Sequence, residues 1–157
     1  MTNKEIKISY TEYDSIKELD PLDRAVAEAA ISASSTSYAP YSNFNVGAAV
    51  MMDDEEIISG SNQENAAFPS GLCAERTTMF YANAHRPEKA MVKIAIAGGP
   101  NRTLCKTPVS PCGACRQVMA QYQAKSGRPM QVILVGSEKI WKFERVDDVL
   151  PFIFDNL

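Results

Sequence analysis

Pro111-Cys112-Gly113-Ala114-Cys115, together with the earlier Cys73-Ala74-Glu75-Arg76, constrains the fold more than any other part of the chain. Cys112 and Cys115 are three residues apart, so both sulfurs lie on one side of a helix that begins there. Cys73 and Glu75 are two apart and do not face each other on a regular helix, so Cys73 must cap a second helix whose first turn holds Glu75. The sequence therefore predicts two helix starts, whose positive dipole ends favour thiolates, at one point.

Three thiolates beside a carboxylate fit a catalytic zinc site, which has three protein ligands and an open position for water. Glu75 would move protons there, and Arg76 would donate hydrogen bonds to the sulfurs and offset their charge. Alternatives stay open. The C-x-x-C spacing alone also fits a redox pair, and Cys105 as a fourth ligand would make a closed structural site. We interpret Cys105 as a loop thiol, because a closed four-cysteine site would have no catalytic role for Glu75.

Composition limits the class of protein. The chain has 157 residues, 45% of them apolar, which is enough for one core. The net charge is -3 with no basic stripe, which argues against a nucleic-acid partner. No segment resembles a signal peptide or an apolar run of about 18 residues, so we expect no membrane partner. The expectation is a cytoplasmic protein that acts on a small molecule.

The positions of Pro and Gly, which mark turns, and the spacing of apolar residues predict an α/β chain. Asp20-Pro21 predicts the start of a first helix, since a capping residue precedes Pro at the first helical position. The other helices are expected at 73–84 and 112–125, and strands at 45–52, 56–61, 91–98, 130–135 and 141–146. This alternation implies a three-layer α-β-α single domain with a mixed five-stranded sheet. Its first two strands would form a hairpin and the later ones would run parallel. Residues 1–20 form an N-terminal extension with a possible extra strand over 5–11, and 21–157 the single domain.

Four motifs resemble those of a known family. They are Tyr38-Ala39-Pro40-Tyr41-Ser42-Asn43-Phe44-Asn45-Val46-Gly47-Ala48, Asn62-Gln63-Glu64-Asn65-Ala66, Cys73-Ala74-Glu75-Arg76-Thr77 and Ser110-Pro111-Cys112-Gly113-Ala114-Cys115-Arg116-Gln117. In order and approximate spacing they are similar to the small homotetrameric zinc-dependent cytidine deaminases, over about residues 22 to 154. The resemblance implies hydrolytic deamination of cytidine and 2′-deoxycytidine to uridine and 2′-deoxyuridine, with release of ammonia. The family uses zinc-activated water and serves pyrimidine salvage.

The resemblance also implies roles for single residues. Cys73, Cys112 and Cys115 would hold one Zn²⁺ per subunit, with Glu75 as the proton shuttle and Arg76 bonded to the sulfurs. The implied substrate contacts are Phe44 on the pyrimidine, Asn62 and Glu64 on the ribose 3′-hydroxyl, the N–H of Ala74 on the base carbonyl and the carbonyl of Ser110 on the leaving amine. Sites at subunit interfaces would also use Ala66, Phe68 and Phe154.

The chain departs from the family at two places, and rival functions remain. Phe68 stands where many relatives carry Tyr, and Asp155-Asn156-Leu157 replaces the usual ending. Phe44 and Phe154 are each compatible with simple packing within the chain. A deaminase of another cytosine-like compound, a non-catalytic zinc-stabilised interaction module and a nucleic-acid-editing deaminase are the alternatives. The Asn62-x-Glu64 pair favours a ribonucleoside over the first, and the acidic balance argues against the last.

Overall fold

A computed structural model describes residues 1–155 of the chain, so Asn156 and Leu157 of the unusual ending lie outside the described part. Within residues 1–155 there are three α-helices and six β-strands. The helices are α1 (Pro21–Ala33), α2 (Ala74–His85) and α3 (Gly113–Ser126). The strands are β1 (Thr11–Tyr13), β2 (Phe44–Met52), β3 (Ile57–Ser61), β4 (Met91–Pro100), β5 (Gln131–Val135) and β6 (Ile140–Phe143). No helix in this part of the chain combines the length and apolarity that crossing a bilayer requires.

The strands form one mixed sheet in the order β1-β6-β5-β4-β2-β3. β2 and β3 are the predicted hairpin. Of the later strands only β4 and β5 run parallel, whereas β6 is antiparallel to β5. The expectation that the later strands all run parallel was therefore wrong. The reason is that residues 136–139, the whole β5–β6 connection, are too few for a crossover.

The sheet has six strands where five were predicted, because the N-terminal extension adds one at its edge. The added strand is β1, which pairs antiparallel with β6 over three residues. It lies at Thr11–Tyr13 and not over 5–11, so its predicted position was wrong. The position of β1 is set by its pairing register on β6, because β6 has only four residues with which β1 can pair.

Helices cover both faces of the sheet, which gives the predicted three layers. α1 packs on one face over a buried cluster that includes Val26, Ala49 and Ile133. α2 and α3 pack on the other face over a larger cluster that includes Met79 and Met119. α2 and α3 thus share one side of the sheet, which allows their N-termini to meet.

Local sequence explains why the helices begin and end where they do. The Asp20 side chain caps α1 and Pro21 occupies its first turn, as predicted. α3 ends at Gly127, whose φ of 65° is the left-handed conformation that glycine tolerates best. Gly47 lets α1 touch β2, since a Cβ there would lie 2.1 Å from the backbone oxygen of Ala30. These features position the helices against the sheet, and the site lies between them.

Candidate active site

Three cysteine sulfurs converge where α2 and α3 begin. Cys73 is the N-cap residue of α2 and Cys112 the N-cap residue of α3, both with extended backbone. Cys115 lies in the first turn of α3 and is buried. The sulfurs of Cys73, Cys112 and Cys115 all lie within 4.8 Å of one another, and those of Cys112 and Cys115 are 3.4 Å apart. Sulfurs around a tetrahedral zinc would lie about 3.8 Å apart, so the spacing fits that ion.

The charges around the sulfurs also favour a metal that binds thiolates. A hydrogen bond with the Cys115 thiol, followed by the approach of Arg76, lowers the pKa of Cys73 to about 5. The same contact with Cys73 raises the pKa of Cys115. Arg76 places Nη2 3.6 Å from the sulfur of Cys73, and its buried Nε has no hydrogen-bond partner among the described residues. An arginine whose Nε–H donor has no partner, close to a cluster of sulfurs, is consistent with a site whose ligands all carry negative charge.

Cys105 does not belong to the metal-ligand group found within residues 1–155. Its backbone N–H donates to Gly98, and its carbonyl accepts from Ser137, so the loop holds it elsewhere. The described structure therefore provides three sulfur donors at this point and not four.

Glu75 lies in the first turn of α2 with its side chain buried, at 4% exposure. Burial raises the pKa of this carboxyl, and the negative charge of Cys73 acts in the same direction. A carboxyl with a raised pKa changes protonation state closer to neutral pH, which suits a group that accepts and returns a proton.

A cavity of about 250 Å³ opens beside Glu75 and the sulfurs. Its apolar wall consists of Phe44, Val46, Ile96 and Val109. Its polar groups come from Ser42, Asn62, Ala74 and Ser110. A flat apolar ring with a few polar atoms would fit such a cavity, with Glu75 and the sulfurs at one end.

A second, more open cavity of about 430 Å³ adjoins the first and shares Asn62 and Cys73 with it. Glu64 lies on its wall, with Tyr41 and Phe68 in edge-to-face contact at a centroid distance of 5.8 Å. The Asn62 side chain donates to the Phe44 carbonyl and accepts from the Val46 N–H, both at 2.9 Å. Asn62 is therefore also a bridge that fixes the start of β2.

The other predicted contact residues are only partly brought to the cavities of a single chain. Ser110 lines the inner cavity, and its hydroxyl accepts from Arg116 at 2.8 Å. Ala66 and Phe154 line neither cavity. Phe154 is 65% exposed, and its backbone is held by the side chain of Gln117 at 2.8 and 3.0 Å.

Sequence reasoning missed four residues of the inner cavity: Ser42, Val46, Ile96 and Val109. A signal for Val46 existed, because residues two apart on a strand share a face and Val46 follows Phe44 on β2 at that spacing. Ser42 lies in the turn before β2, where this periodicity does not apply. Ile96 and Val109 reach the cavity only through the pairing of β4 beside β2 and the loop that follows it. No local pattern marks that arrangement.

Comparison with known proteins supplies a family for this site. Residues 21–127 match the family model described as "Cytidine and deoxycytidylate deaminase zinc-binding region". The chain is 47% identical over 92 residues to a cytidine deaminase from Halalkalibacterium halodurans, a match that covers 59% of this chain and 65% of that protein. The chain is 46% identical over 88 residues to a cytidine deaminase from Sporosarcina psychrophila. That match covers 55% of this chain and 59% of that protein. The chain thus spans about three fifths of the length of these curated relatives.

Solved structures give longer matches. The crystal structure of cytidine deaminase from Burkholderia pseudomallei superposes with a TM-score of 0.68 at 39% identity, over 83% of this chain and 97% of that one. The crystal structure of cytidine deaminase from Mycobacterium tuberculosis superposes with a TM-score of 0.66 at 27% identity. This match covers 83% of the present chain and 95% of that one. The layers described above are therefore similar to those of known proteins over most of the chain.

Proposed function

The chain belongs to the cytidine and deoxycytidylate deaminase zinc-binding family, and from that premise we propose that it hydrolyses cytidine and 2′-deoxycytidine to uridine and 2′-deoxyuridine. The observation that carries the proposal is the buried carboxyl of Glu75 beside three converging sulfurs, at one end of a cavity sized for a single ring. The net charge of -3 favours a free nucleoside over a nucleic acid. We place this activity in the cytoplasm and in pyrimidine salvage.

We propose that Cys73, Cys112 and Cys115 hold one Zn²⁺ per subunit, supported by the sulfur spacing and by the donors of Arg76. Bound there, zinc would supply the Lewis acidity that makes water a nucleophile near neutral pH. Arg76 would balance part of the negative charge of three thiolates and Glu75.

Glu75 would carry the protons of the reaction. Water adds its oxygen to C4 of the cytosine ring, and the proton that it loses passes through Glu75 to N3. The remaining proton of that water, now on the C4 hydroxyl, passes through Glu75 to the amino group, the C4–N bond breaks, and ammonia leaves as the C4 carbonyl forms. The raised pKa of Glu75 supports this role, because one carboxyl must accept a proton and then release it within a single turnover.

The remaining contacts would position the nucleoside. Phe44 would lie against the ring, the Ala74 N–H would donate to the base carbonyl and the Ser110 carbonyl would face the leaving amine. Asn62 and Glu64 would bind the ribose 3′-hydroxyl. Asn62 lines both cavities and Glu64 lines the outer one, which supports this assignment, since the ring and the sugar then have one cavity each.

We further propose a homotetramer with sites at subunit interfaces. Phe68 and Phe154 are 75% and 65% exposed, which leaves large apolar surfaces available to a neighbour. Phe154, with Ala66 and Phe68, would complete a neighbour's site. Analytical ultracentrifugation tests this directly, and a monomer with full activity would contradict it.

The function is tested by loss of cytidine absorbance with the purified protein, alongside metal analysis. We expect turnover of both nucleosides and one zinc per chain. Glu75→Gln should keep its zinc yet lose about 10³-fold or more in rate, since only proton transfer is removed. Glu138→Gln, on the exposed β5–β6 connection, is the matched control and should behave as wild type. Normal turnover by Glu75→Gln would exclude the proposed mechanism.

A further inference from the structure

We propose that Ser42 is a positioning residue that orients the Glu64 carboxylate and thereby sets the preference for a substrate with a 3′-hydroxyl. This inference rests on the proposed function and adds to it a residue that acts through Glu64. Ser42 lines the inner cavity, whereas Glu64 lines the outer one. The contact between Ser42 and Glu64 therefore links the two parts of the site.

The Glu64 carboxylate is held almost entirely by the loop that contains Ser42. Its Oε2 accepts from the backbone N–H groups of Tyr41 at 2.9 Å and Ser42 at 3.3 Å. Its Oε1 accepts from the Ser42 hydroxyl. A carboxylate has about four acceptor sites, so these three bonds leave roughly one for a ligand. A hydroxyl that donates to the remaining site would meet a carboxylate whose direction is already fixed.

The Ser42 hydroxyl is bonded on both sides. It donates to Glu64 and accepts from the backbone N–H of Phe44 at 3.0 Å. The Phe44 carbonyl in turn accepts from the side chain of Asn62 at 2.9 Å. Glu64, Ser42, Phe44 and Asn62 thus form a continuous hydrogen-bonded chain from one cavity to the other. The hydroxyl of Ser42 is a link in this chain that a single substitution removes while leaving the side chains of Glu64 and Asn62 unchanged.

The backbone of Glu64 is fixed independently of Ser42. Its N–H donates to the carbonyl of Tyr38 at 2.8 Å, and the neighbouring Gln63 exchanges two backbone hydrogen bonds with Leu72, both at 2.9 Å. Ser42 itself is exposed. Removing its hydroxyl should therefore leave the backbone of Glu64 in place, free Oε1 of the Glu64 carboxylate and deprive the Phe44 N–H of its acceptor. A defect in Ser42→Ala would then concern the ligand of Glu64 and not the fold.

The test compares cytidine with 3′-deoxycytidine as substrates of the full-length, zinc-loaded protein. We expect wild type to prefer cytidine. Ser42→Ala should lower kcat/KM for cytidine about tenfold, mainly through KM, because one hydrogen bond to a charged group is lost. Its kcat/KM for 3′-deoxycytidine should stay within about twofold of wild type, and Ser42→Thr, which keeps a hydroxyl, should restore the preference. Ser35→Ala is the matched control, because that exposed hydroxyl donates only to the Ser32 carbonyl.

A double-mutant cycle separates action through Glu64 from any other effect of Ser42. In a Glu64→Ala background, Ser42→Ala should cause no further loss with cytidine. An equal loss on both substrates, or a further loss in the Glu64→Ala background, would overturn the inference while leaving the proposed function standing. No turnover of either nucleoside by wild type would overturn the proposed function and this inference together.

Discussion

Asp23 is a buried carboxylate that holds two lysine side chains on the α1 side of the sheet. It is 1% exposed, and the Nζ atoms of Lys93 and Lys142 each donate to one of its oxygens. Lys93 lies on β4 and Lys142 on β6, so the cluster ties α1 to strands on both sides of β5. Asp23 is the buried partner of both ammonium groups, whereas the other carboxylates near Lys142, Asp20 at 3.8 Å and Glu144 at 3.9 Å, are more exposed.

Asp23→Asn should therefore destabilise the fold strongly although it preserves shape. We expect the free energy of unfolding to fall by about 3 kcal/mol, because both ammonium groups lose their buried partner and Lys142 keeps only the more distant carboxylates of Asp20 and Glu144. Urea denaturation measures the loss. Asp14→Asn is the control, since the side chain of Asp14 is 75% exposed in its pair with Lys139, and it should cost less than about 1 kcal/mol. Similar losses in both variants would contradict the structural account of Asp23.

Prediction from the sequence succeeded for residues whose partners are close in the chain. The offset between Cys73 and Glu75 required a helix cap, and the structure places Cys73 at that cap. The side-chain bonds of Asn62 were not predictable, because Phe44 and Val46 are 18 and 16 residues away. The pairing of β2 with β3 brings them together, and no local pattern specifies which backbone groups an amide will bind.

At the scale of single elements, the start of α1 depends on Asp20, whose Oδ1 accepts from the N–H groups of Leu22 at 3.0 Å and Asp23 at 2.9 Å. Asp20→Ala should lower the free energy of unfolding by about 1 kcal/mol at pH 7. The bond from the Asp23 N–H holds the pKa of Asp20 below its usual range. The contribution is therefore complete above the unfolded-state pKa of about 4 and is lost as the pH falls through the lower folded-state value.

The gap in stability between wild type and Asp20→Ala should thus narrow as the pH falls below about 4. Thermal unfolding followed at several pH values measures it. Asp20→Asn is the matched control, because Asn also caps helices well but does not titrate. A gap that stays constant down to pH 3 would show that the cap does not act through the ionised carboxylate.

The C-terminal segment after β6 is held by the first turns of α3. Arg116 donates to the carbonyls of Pro111 at 2.8 Å and Val149 at 3.0 Å, which joins the loop before Cys112 to this segment. The next residue, Gln117, donates to the Phe154 carbonyl and accepts from its N–H, as a neighbouring strand would. The helix that carries two of the three cysteines therefore also places the end of the chain.

Gln117→Ala should release the segment around Phe154 without unfolding the protein. Both bonds of the Phe154 backbone are lost, so hydrogen exchange of that amide should accelerate by about fivefold, as expected for loss of a bond worth about 1 kcal/mol. Gln121→Ala, one turn later and exposed on the same helix, is the control. Unchanged exchange at Phe154 in Gln117→Ala would mean that other contacts hold the segment.

Strand positions and directions were harder to predict than helices. Ile6, Ile8 and Tyr10 alternate as in a strand, yet pairing begins only at Thr11, where a partner on β6 is available. Helix starts are encoded by caps within a few residues. A strand forms only when another strand pairs with its backbone, and the topology of the whole sheet determines which strand that is.

At the scale of the molecule, the N-terminal extension covers the edge of the sheet opposite the candidate site. The ring of Tyr10 lies 5.7 Å from that of Trp141 and 5.4 Å from that of Phe143, and Glu12 accepts from the Trp141 indole N–H at 2.8 Å. The known structure from Burkholderia pseudomallei aligns with 83% of this chain. We propose that residues 1–20 are an extension of the domain formed by 21–157.

Deletion of residues 1–13 should therefore uncover the edge of β6 and leave the metal site intact. Trp141 is the only tryptophan, so its fluorescence reports on this edge alone. We expect its emission to shift to longer wavelength, because the indole loses Tyr10 and gains water, while zinc content stays equal to that of the full chain. The single substitution Glu12→Gln keeps the strand and should show little shift. Unchanged emission after the deletion would contradict the contact with Tyr10.

The convergence of Cys112 and Cys115 at an exposed helix start has a consequence for the chemistry of the thiols themselves. Their sulfurs are 3.4 Å apart, Cys112 is exposed and Cys115 is buried, so an oxidant that reaches Cys112 would find a second thiol close enough to form a disulfide. Zinc would protect these sulfurs from oxidation as well as serve the reaction. Loss of the metal under oxidising conditions would then become irreversible until a reductant restores the thiols.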